Sequence, residues 1–472
     1  MKRTVAALAA VGVILAVAAC PQSSRKSPLA GAYRFEQNGW IYVHLEGAPD
    51  RLGFQHGALL APEIADLLRV VKPFLQETTR RDWAFYRDAA ERILWPKIDA
   101  EFQAELDGIV AGARSRGDTL DRWDVVALNA LEELPDYYVP WLEKQQGRSP
   151  SARAPGNCSA FIATGSYTAD RRIVMGHNDW TNYIVGERWN IIFDIEPQRG
   201  FRIIMDGLPG VIVSDDDFGI NANGLMVTET TITGFQGFDT AGAPEFVRAR
   251  KALQYGGSID DYVRIMRERN NGGYANDWLI GDTKTGEIAL FELGLKDWSL
   301  RRTADGYFVG SNFPVDPKLT ASETNFDVQD RASSPNARHV RWEQLMAEHR
   351  GRIDAEIGKR MESDAWDAFE RRQGPNERTL CGTDDNSPRG VPDWDWGRFF
   401  PGGTVQAKVA DAQMASRMEL FAAMGHPCAP DFQAEPFLAA HPEYGWMSGL
   451  LRDMTTQPWT LFSSAMQQPA SH

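Results

Sequence analysis

Hydrophobic residues recur at two different spacings along this chain, and the spacing changes near residue 158. Ahead of that point, an alternating segment at 40–45 predicts a strand, and apolar groups near 102–110 and 125–134 recur every three or four residues. That interval is typical of one face of a helix. The clearest example is a run with Pro62 near its start: Leu59, Leu60, Ile64, Leu67, Leu68, Val71 and Leu75. The first third of the chain is therefore predicted to be mostly helical.

From residue 158 onward, apolar residues alternate with polar ones, which predicts strands. The predicted strands are 158–164, 172–177, 189–195, 202–206, 211–214, 224–232, 278–282, 287–293 and 306–311. Helices are predicted at 244–255, 258–269, 337–371 and 405–424, with an irregular segment at 374–404. Strands followed by inserted helices favour an α+β fold, in which antiparallel sheets are covered by helices.

The pattern divides the chain into four parts. Residues 1–20 form a targeting segment, 21–145 a mostly helical part, 146–157 a Ser/Pro-rich linker, and 158–472 the strand-rich part. Lys2 and Arg3 precede an apolar stretch that is too short to span a bilayer. Val17-Ala18-Ala19-Cys20 resembles a lipoprotein box, in which Cys20 is lipidated; the alternative is an ordinary signal peptide. We expect an exported bacterial lipoprotein, anchored in the membrane at the periplasmic or outer-membrane face.

Composition narrows the classes of function. The chain has 472 residues, 43% of them hydrophobic, and a formal net charge of −14. This composition suits a packed globular protein, and an acidic chain without a basic stripe argues against nucleic acid as a partner. The eight histidines show no clustered spacing, so neither a metal nor a cofactor is predicted. Ser214-Asp215-Asp216-Asp217 lacks the spaced ligands of a calcium loop and is interpreted as a turn.

Cys158 follows the linker directly and begins a predicted strand. An internal cysteine is most often a small buried hydrophobic residue. At this junction, however, its thiol is placed to attack the carbonyl of Asn157. Cleavage there would make Cys158 a new amino terminus, and its α-amine would serve as the base for the thiol.

His177 ends the second predicted strand of a hairpin with 158–164, so it is expected near Cys158. A Cys158/His177 pair of the papain kind is therefore a second mechanism, and a structural histidine at a strand end is the alternative. Asp179 is interpreted as orienting a freed amine or capping a turn. The sequence does not decide among these interpretations.

Several further residues are candidates for the same site. Asn276 precedes a predicted strand, where an amide donor suits an oxyanion, although asparagine is also common in turns. Thr228, Glu229, Thr230 and Thr231 end another strand and are candidates to line the cleft. Cys381 and Cys428 are left over, and in an exported protein they are candidates for a disulfide.

Taken in order, these segments resemble the phospholipase B-like proteins. The resemblance rests on short motifs spread over about residues 38–415: Cys158-Ser159-Ala160, Gly176-His177-Asn178-Asp179-Trp180, Asp216-Asp217-Phe218, Gly224-Leu225, Thr230-Thr231, Tyr274-Ala275-Asn276-Asp277-Trp278 and Ala407-Lys408-Val409. Gly53-Phe54-Gln55-His56-Gly57 is similar to the related penicillin acyltransferase group. Ala275 departs from the second asparagine that lysosomal relatives tend to have.

The resemblance implies an N-terminal nucleophile hydrolase with an αββα sandwich, matured by cleavage before its cysteine. It assigns Cys158 as the nucleophile, His177 and Trp180 as the active-site His-x-x-Trp, and Asn276 and Thr230 as oxyanion or amine contacts. The expected substrate is an acyl ester or amide, such as a phospholipid or an N-acylated small molecule. The alternatives are an acyltransferase that uses an amine acceptor and a non-catalytic lipid-binding lipoprotein.

Overall fold

Two β-sheets stack face to face, and helices cover both outer faces. The structure is a computed structural model that describes residues 27–149, 158–214, 217–428 and 430–466. The targeting segment with Cys20 and residues 150–157 of the linker, Asn157 among them, lie outside the described residues. Within the described residues, none of the helices combines the length and apolar character that a membrane span requires.

The larger sheet has nine strands in the order β1-β2-β5-β6-β7-β8-β9-β10-β11, and the smaller has six in the order β12-β3-β4-β15-β16-β17. The strands are β1 Tyr33–Gln37, β2 Trp40–Gly47, β3 Ser159–Thr164, β4 Val174–Asn182, β5 Ile191–Pro197, β6 Ile203–Gly207, β7 Phe218–Asn221, β8 Leu225–Thr231, β9 Asn276–Asp282, β10 Glu287–Leu293, β11 Trp298–Thr303, β12 Gly306–Gly310, β13 Trp366–Asp367, β14 Arg372–Gln373, β15 Gly402–Asp411, β16 Glu419–Met424 and β17 Thr460–Ser463. β13 and β14 form a separate small ribbon. Pairing between these strands is antiparallel, apart from β2 beside β5.

The helices are α1 Pro49–Leu59, α2 Ala61–Thr79, α3 Trp83–Ala89, α4 Ala100–Arg114, α5 Arg122–Asn129, α6 Val139–Gln145, α7 Tyr183–Gly186, α8 Glu245–Tyr255, α9 Ile259–Arg267, α10 Pro317–Glu323, α11 Ser334–His349, α12 Ala355–Glu362, α13 Ala412–Ser416 and α14 Ala434–Ala440. A π-helical turn, Leu134–Tyr138, precedes α6.

Three buried cores separate the layers. One lies between the sheets and joins side chains such as Ile204 and Leu279 of the larger sheet to Ile162 and Met175 of the smaller. A second lies between the larger sheet and helices of the N-terminal part together with α8 and α9. A third lies between the smaller sheet and α11 and α12. The order helix, sheet, sheet, helix confirms the predicted α+β sandwich.

The N-terminal part and the strand-rich part share one sheet. β2 pairs in parallel with β5, from Ile41 opposite Ile191 to Gly47 opposite Pro197. The predicted strand at 40–45 is therefore confirmed, and it lies inside the sandwich. As a result, residues on both sides of the 146–157 linker belong to the same layers.

The helix predicted at 405–424 is wrong, because this segment forms β15, α13 and β16. Ala407, Lys408, Ala410 and Met414 are residues that favour helices, so local propensity points to a helix. β15 instead lies between β4 and β16 and is buried on both faces, although Thr404, Gln406 and Lys408 alternate with apolar residues as on a strand. Tertiary packing overrides propensity here.

Smaller differences have similar causes. The apolar run at 211–214 is a buried loop and not a strand, because it packs into the core under the helices. β7 and β11 were not predicted; β7 is only four residues long, and β11 is a largely exposed edge strand. The predicted helix at 337–371 breaks into α11 and α12, followed by the β13–β14 ribbon.

The Gly53-Phe54-Gln55-His56-Gly57 motif holds two helices together. α1 and α4 approach so closely that a methyl group on Gly57 would lie 2.0 Å from the Ile109 carbonyl oxygen, and one on Gly112 would lie 2.1 Å from that of Phe54. His56 Nε2 accepts a hydrogen bond from the Gly210 amide at 2.8 Å. Burial lowers the pKa of His56 to about 3, so the ring is neutral and serves as an acceptor.

Replacing Gly57 with alanine is expected to destabilise the fold by about 3 kcal/mol or more, because the methyl group meets backbone that side-chain rotation cannot move. Chemical denaturation measures the loss. Gly445→Ala is the matched control, since a methyl group there meets nothing within 4 Å. Equal stability of the two variants would contradict the close packing of α1 on α4.

Candidate active site

Cys158 lies immediately before β3 and is buried, with 2% of its surface exposed. Its backbone N–H donates to Asn312 Oδ1 at 3.1 Å. Its carbonyl accepts from the guanidinium of Arg338, which also donates to Ser159 Oγ at 3.0 Å and to Asn312 Oδ1 at 2.8 Å. The backbone on both sides of the Cys158 side chain is therefore held by two buried polar residues.

The β3–β4 hairpin places His177 beside the cysteine, as the sequence predicts. Ala160 pairs with His177 across the hairpin. One ligand-type atom from each of Cys158, His177, Asp217 and Glu229 lies within 4.8 Å of the others, and all four side chains are buried. Asp217 precedes β7 and Glu229 belongs to β8, so the larger sheet contributes the two carboxyl groups.

The local charges disfavour a thiolate at Cys158. Burial raises the pKa of its thiol well above the usual value, and Glu229, Asp217 and Asp179 raise that pKa further. For His177, burial and the neighbouring Lys408 lower the pKa well below its usual value. A papain-type pair needs an ionised thiol beside a protonated imidazole. The raised pKa of Cys158 and the lowered pKa of His177 both oppose that ion pair, so both side chains are neutral in this structure.

Lys408 brings a buried positive charge to the same region. It pairs with His177 across β15 and β4, and its ammonium binds Asp206 Oδ2 at 2.9 Å. Gln406, two residues earlier, donates to Asp179 Oδ2 at 3.2 Å. Sequence analysis missed the role of both residues because it predicted a helix there; alternation along a strand would have placed them on one face.

Asp179 and Glu132 are two further carboxyl groups of the network. Burial raises the pKa of Asp179 to about 7, and nearby Asp206 contributes to that rise. Burial also raises the pKa of Glu132 to about 7, with Asp179 as a second cause. Glu132 lies just before the π-helical turn Leu134–Tyr138, so the N-terminal part reaches this site. No sequence signal singled out Glu132.

Asn276 and Thr230 lie on the neighbouring strands β9 and β8. Asn276 is fully buried, and neither of its amide atoms has a hydrogen-bond partner among the described residues. Thr230 is buried too, and its hydroxyl lies so close to Gly310 that a methyl group there would be 2.4 Å away. Gly310 pairs with Ala160, which is two residues after Cys158 in the chain, so Thr230 lies near the cysteine. Both side chains keep hydrogen-bonding capacity for a ligand.

Trp180 faces the opposite side of β4 from His177. Its indole N–H and the Asn178 amide both donate to the Leu380 carbonyl at 3.2 Å. Its ring lies 5.0 Å from the guanidinium carbon of Arg338. Trp180 thus contacts the residue that holds the Cys158 carbonyl, while its own backbone N–H lowers the thiol pKa. Arg338 and Asn312 were missed because they are distant from Cys158 in the chain.

The remaining cysteines are placed as follows. Cys381 and Cys428 are joined by a disulfide, with Cα atoms 6.0 Å apart. Cys158 is a free thiol. Cys158, His177, Asp217 and Glu229 are also of types that bind metals, and their spacing allows them to surround a cation. The expectation of no metal stays a prediction.

Comparison with known proteins finds relatives named phospholipase B. The phospholipase B family model matches residues 68–290, a segment that contains Cys158, His177, Thr230 and Asn276. A phospholipase B of Crotalus adamanteus is 25% identical over 449 residues, covering 79% of this chain and 75% of that protein. The chain is therefore similar to the phospholipase B-like proteins, and the match includes the candidate active-site residues.

Other matches of this chain cover a smaller share of it. An uncharacterised protein of Archaeoglobus fulgidus is 26% identical over 289 residues, covering 56% of this chain and 45% of that protein. The match thus spans less than half of the archaeal relative's length. Among solved structures, a mutant of the conjugated bile acid hydrolase from Clostridium perfringens aligns with a TM-score of 0.33 and 12% identity, covering 56% of this chain and 88% of that one.

Removing the Asp179 carboxyl is expected to have a pH-dependent effect on stability. With its pKa raised to about 7, folded Asp179 keeps its proton where the unfolded chain releases it. Stability from this group is full below about pH 4 and is lost as pH rises towards 7. In a Cys158→Ala background, the free energy of unfolding of Asp179→Asn should therefore exceed that of its parent. This difference should grow by roughly 1–3 kcal/mol from pH 5 to pH 8.

Urea unfolding at several pH values measures this difference. Glu435→Gln, at an exposed position on α14, is the control for removing one carboxyl group. A difference between Asp179→Asn and its parent that stays constant from pH 5 to 8 would mean that Asp179 is ionised throughout.

Proposed function

We propose that the protein is a self-processing cysteine hydrolase that cleaves acyl esters or amides, with phospholipids and N-acylated lipids as its substrate class. The names of its relatives, phospholipase B and phospholipase B-like, support the lipid substrate. The single observation that carries the mechanism is the environment of Cys158. Its buried thiol is neutral, and its histidine neighbour is a weak base.

The α-amine of Cys158 itself supplies the base for the thiol. An α-amine titrates near pH 8, so a useful fraction is neutral at physiological pH and accepts the thiol proton. Asn312 Oδ1 already accepts from the Cys158 nitrogen at 3.1 Å. The same contact is available to the freed amine, which it would keep beside its own sulfur. This arrangement needs no imidazole.

The contacts of Cys158 also support the proposed self-processing. The Cys158 sulfur attacks the Asn157 carbonyl carbon, a sulfur–carbon bond forms, and the peptide carbon–nitrogen bond breaks as the nitrogen takes the thiol proton. Water then opens the resulting thioester, giving the Asn157 carboxylate and the free thiol. Arg338 fixes the Cys158 carbonyl and Asn312 fixes its nitrogen, so the attacking residue is held on both sides.

In turnover, the deprotonated sulfur attacks the acyl carbonyl and the amine returns its proton to the leaving group. The buried amide of Asn276 and the hydroxyl of Thr230 are donors without partners in the described structure, and they are assigned to the developing oxyanion. One such donor commonly contributes about 3–4 kcal/mol to the transition state. Water then releases the acid from the thioester.

We further propose that the chain is exported and held at a membrane by lipid on Cys20. This proposal rests on the basic residues, the apolar stretch and the box ending at Cys20. A membrane-tethered enzyme with a lipid substrate would meet that substrate at the surface where it is anchored.

Variants at the two candidate residues separate the mechanisms. Cys158→Ala is expected to abolish release of fatty acid from an acyl ester and an acyl amide. His177→Gln is expected to lose less than the roughly 10²- to 10⁴-fold that removal of a general base costs. Chromatographic assay of the released acid measures both. A loss for His177→Gln as large as that for Cys158→Ala would instead support the Cys158/His177 pair.

The same assay tests the class of reaction. With a primary amine added, an acyltransferase would form the amide in place of the acid. Unchanged acid release supports a hydrolase. Ligand binding without any turnover by the native protein would overturn the enzyme proposal and favour a lipid-binding protein.

A further inference from the structure

A surface cavity of about 660 Å³ lies outside the cysteine site. Its lining includes the aromatic and apolar residues Trp141, Phe238 and Leu295. Its lining also includes the charged residues Asp239, Lys296, Asp297 and Glu323. Its volume falls in the range of small-molecule sites, and its mixture of aromatic and charged groups is typical of them.

Two chain segments connect this cavity to the cysteine site. Gln236 of the cavity follows Thr230 by six residues, and Asn270 of the cavity precedes Asn276 by six residues. Six residues span at most about 20 Å, so the cavity lies within that distance of both residues. The two segments adjoin the ends of the neighbouring strands β8 and β9 that carry Thr230 and Asn276.

The aromatic lining is suited to a cation. The Trp141 and Phe238 ring centroids are 6.3 Å apart with planes inclined by 54°, and Tyr138 packs against both rings at 5.9 and 5.5 Å. Trp141 and Phe238 both line the cavity, and aromatic rings attract cations at their faces. Ammonium groups, quaternary ones above all, bind such faces within about 6 Å of a ring centroid.

The charged residues complete a site for a ligand with two charges. The Glu323 carboxylate accepts hydrogen bonds from the backbone amides of Lys296 and Asp297. The Asp297 carboxylate forms an ion pair with Lys318. The Asp239 carboxylate is exposed and accepts a hydrogen bond from the Ala241 amide at 2.8 Å, with Lys97 as a charged neighbour. Neither Asp239 nor Lys296 forms an ion pair among the described residues. One carboxylate and one ammonium therefore remain available on the cavity wall.

We propose that this cavity binds the zwitterionic headgroup of a phospholipid. Trp141, Phe238 and Asp239 take the ammonium group, and Lys296 takes the phosphate. The inference rests on the proposed function, because it makes the cavity the headgroup site of the same substrate whose acyl bond meets Cys158. It predicts that the protein prefers lipids with an ammonium-bearing headgroup to lipids with a neutral or purely anionic headgroup.

Binding is tested on the Cys158→Ala variant, so that the result does not depend on turnover. Titration calorimetry compares dodecylphosphocholine with dodecyl maltoside and dodecyl sulfate, all below micelle formation. Dodecylphosphocholine is expected to bind most tightly. Trp141→Ala and Asp239→Asn are each expected to weaken it at least fivefold, and Glu435→Gln to leave it unchanged.

Competition by free choline, phosphocholine and inorganic phosphate identifies the part that is recognised. Phosphocholine is expected to compete better than choline or phosphate alone, because it engages both charges. Equal affinity for the three detergents, or unchanged affinity in both cavity variants, would overturn the headgroup site. Competition by phosphate alone as strong as by phosphocholine would overturn the ammonium assignment.

Kinetics of the active protein separate this inference from the proposed function. Trp141→Ala and Asp239→Asn should raise KM for a phosphatidylcholine while leaving hydrolysis of a monoacylglycerol unchanged. Hydrolysis of neither lipid by the native protein would overturn the proposed function while the binding result still stands. Equal loss on both lipids would show general damage and not headgroup recognition.

Discussion

The burial of Cys158 among carboxyl groups is the constraint on which the rest of the site depends. Asp217 and Glu229 approach the sulfur, Asp179 adds to their effect, and little solvent reaches the thiol to stabilise a negative charge. An ionised thiol is therefore costly in this chain before cleavage. In the proposed self-cleavage the departing peptide nitrogen takes the thiol proton, whereas each later turnover needs a base that takes it as the sulfur attacks. A freed α-amine meets that need, and it also brings a cation into a region whose carboxyl groups are otherwise balanced chiefly by Lys408.

The two-sheet architecture explains how such a site is built. The smaller sheet supplies His177 from β4 and Lys408 from β15, with Cys158 immediately before β3, whereas the larger supplies Glu229 and Asn276. Closely packed helices α1 and α4 cover the larger sheet, and the segment after α5 carries Glu132 toward Asp179. Polar side chains that would be costly in an ordinary core are thus held by strands on both sides.

Local pattern was sufficient for the parts of this site that are close in sequence. The hairpin of β3 and β4 could be predicted from alternation, and it placed His177 beside Cys158. Lys408 and Gln406 were missed because their segment is rich in residues that favour helices, although both alternate with apolar residues as on a strand. Asn312 and Arg338 contact Cys158 from 154 and 180 residues away, and no local spacing encodes such contacts. The fold class was therefore predictable, while the contacts that hold the cysteine required the structure.

Amino-terminal sequencing and intact mass of the purified protein test the central claim most directly. The account predicts two chains, the second beginning at Cys158 and running to His472, and a single uncut chain for Cys158→Ala. If the purified native protein remains one chain and still hydrolyses acyl bonds, the proposed mechanism is contradicted, because the α-amine assigned as the base would not exist.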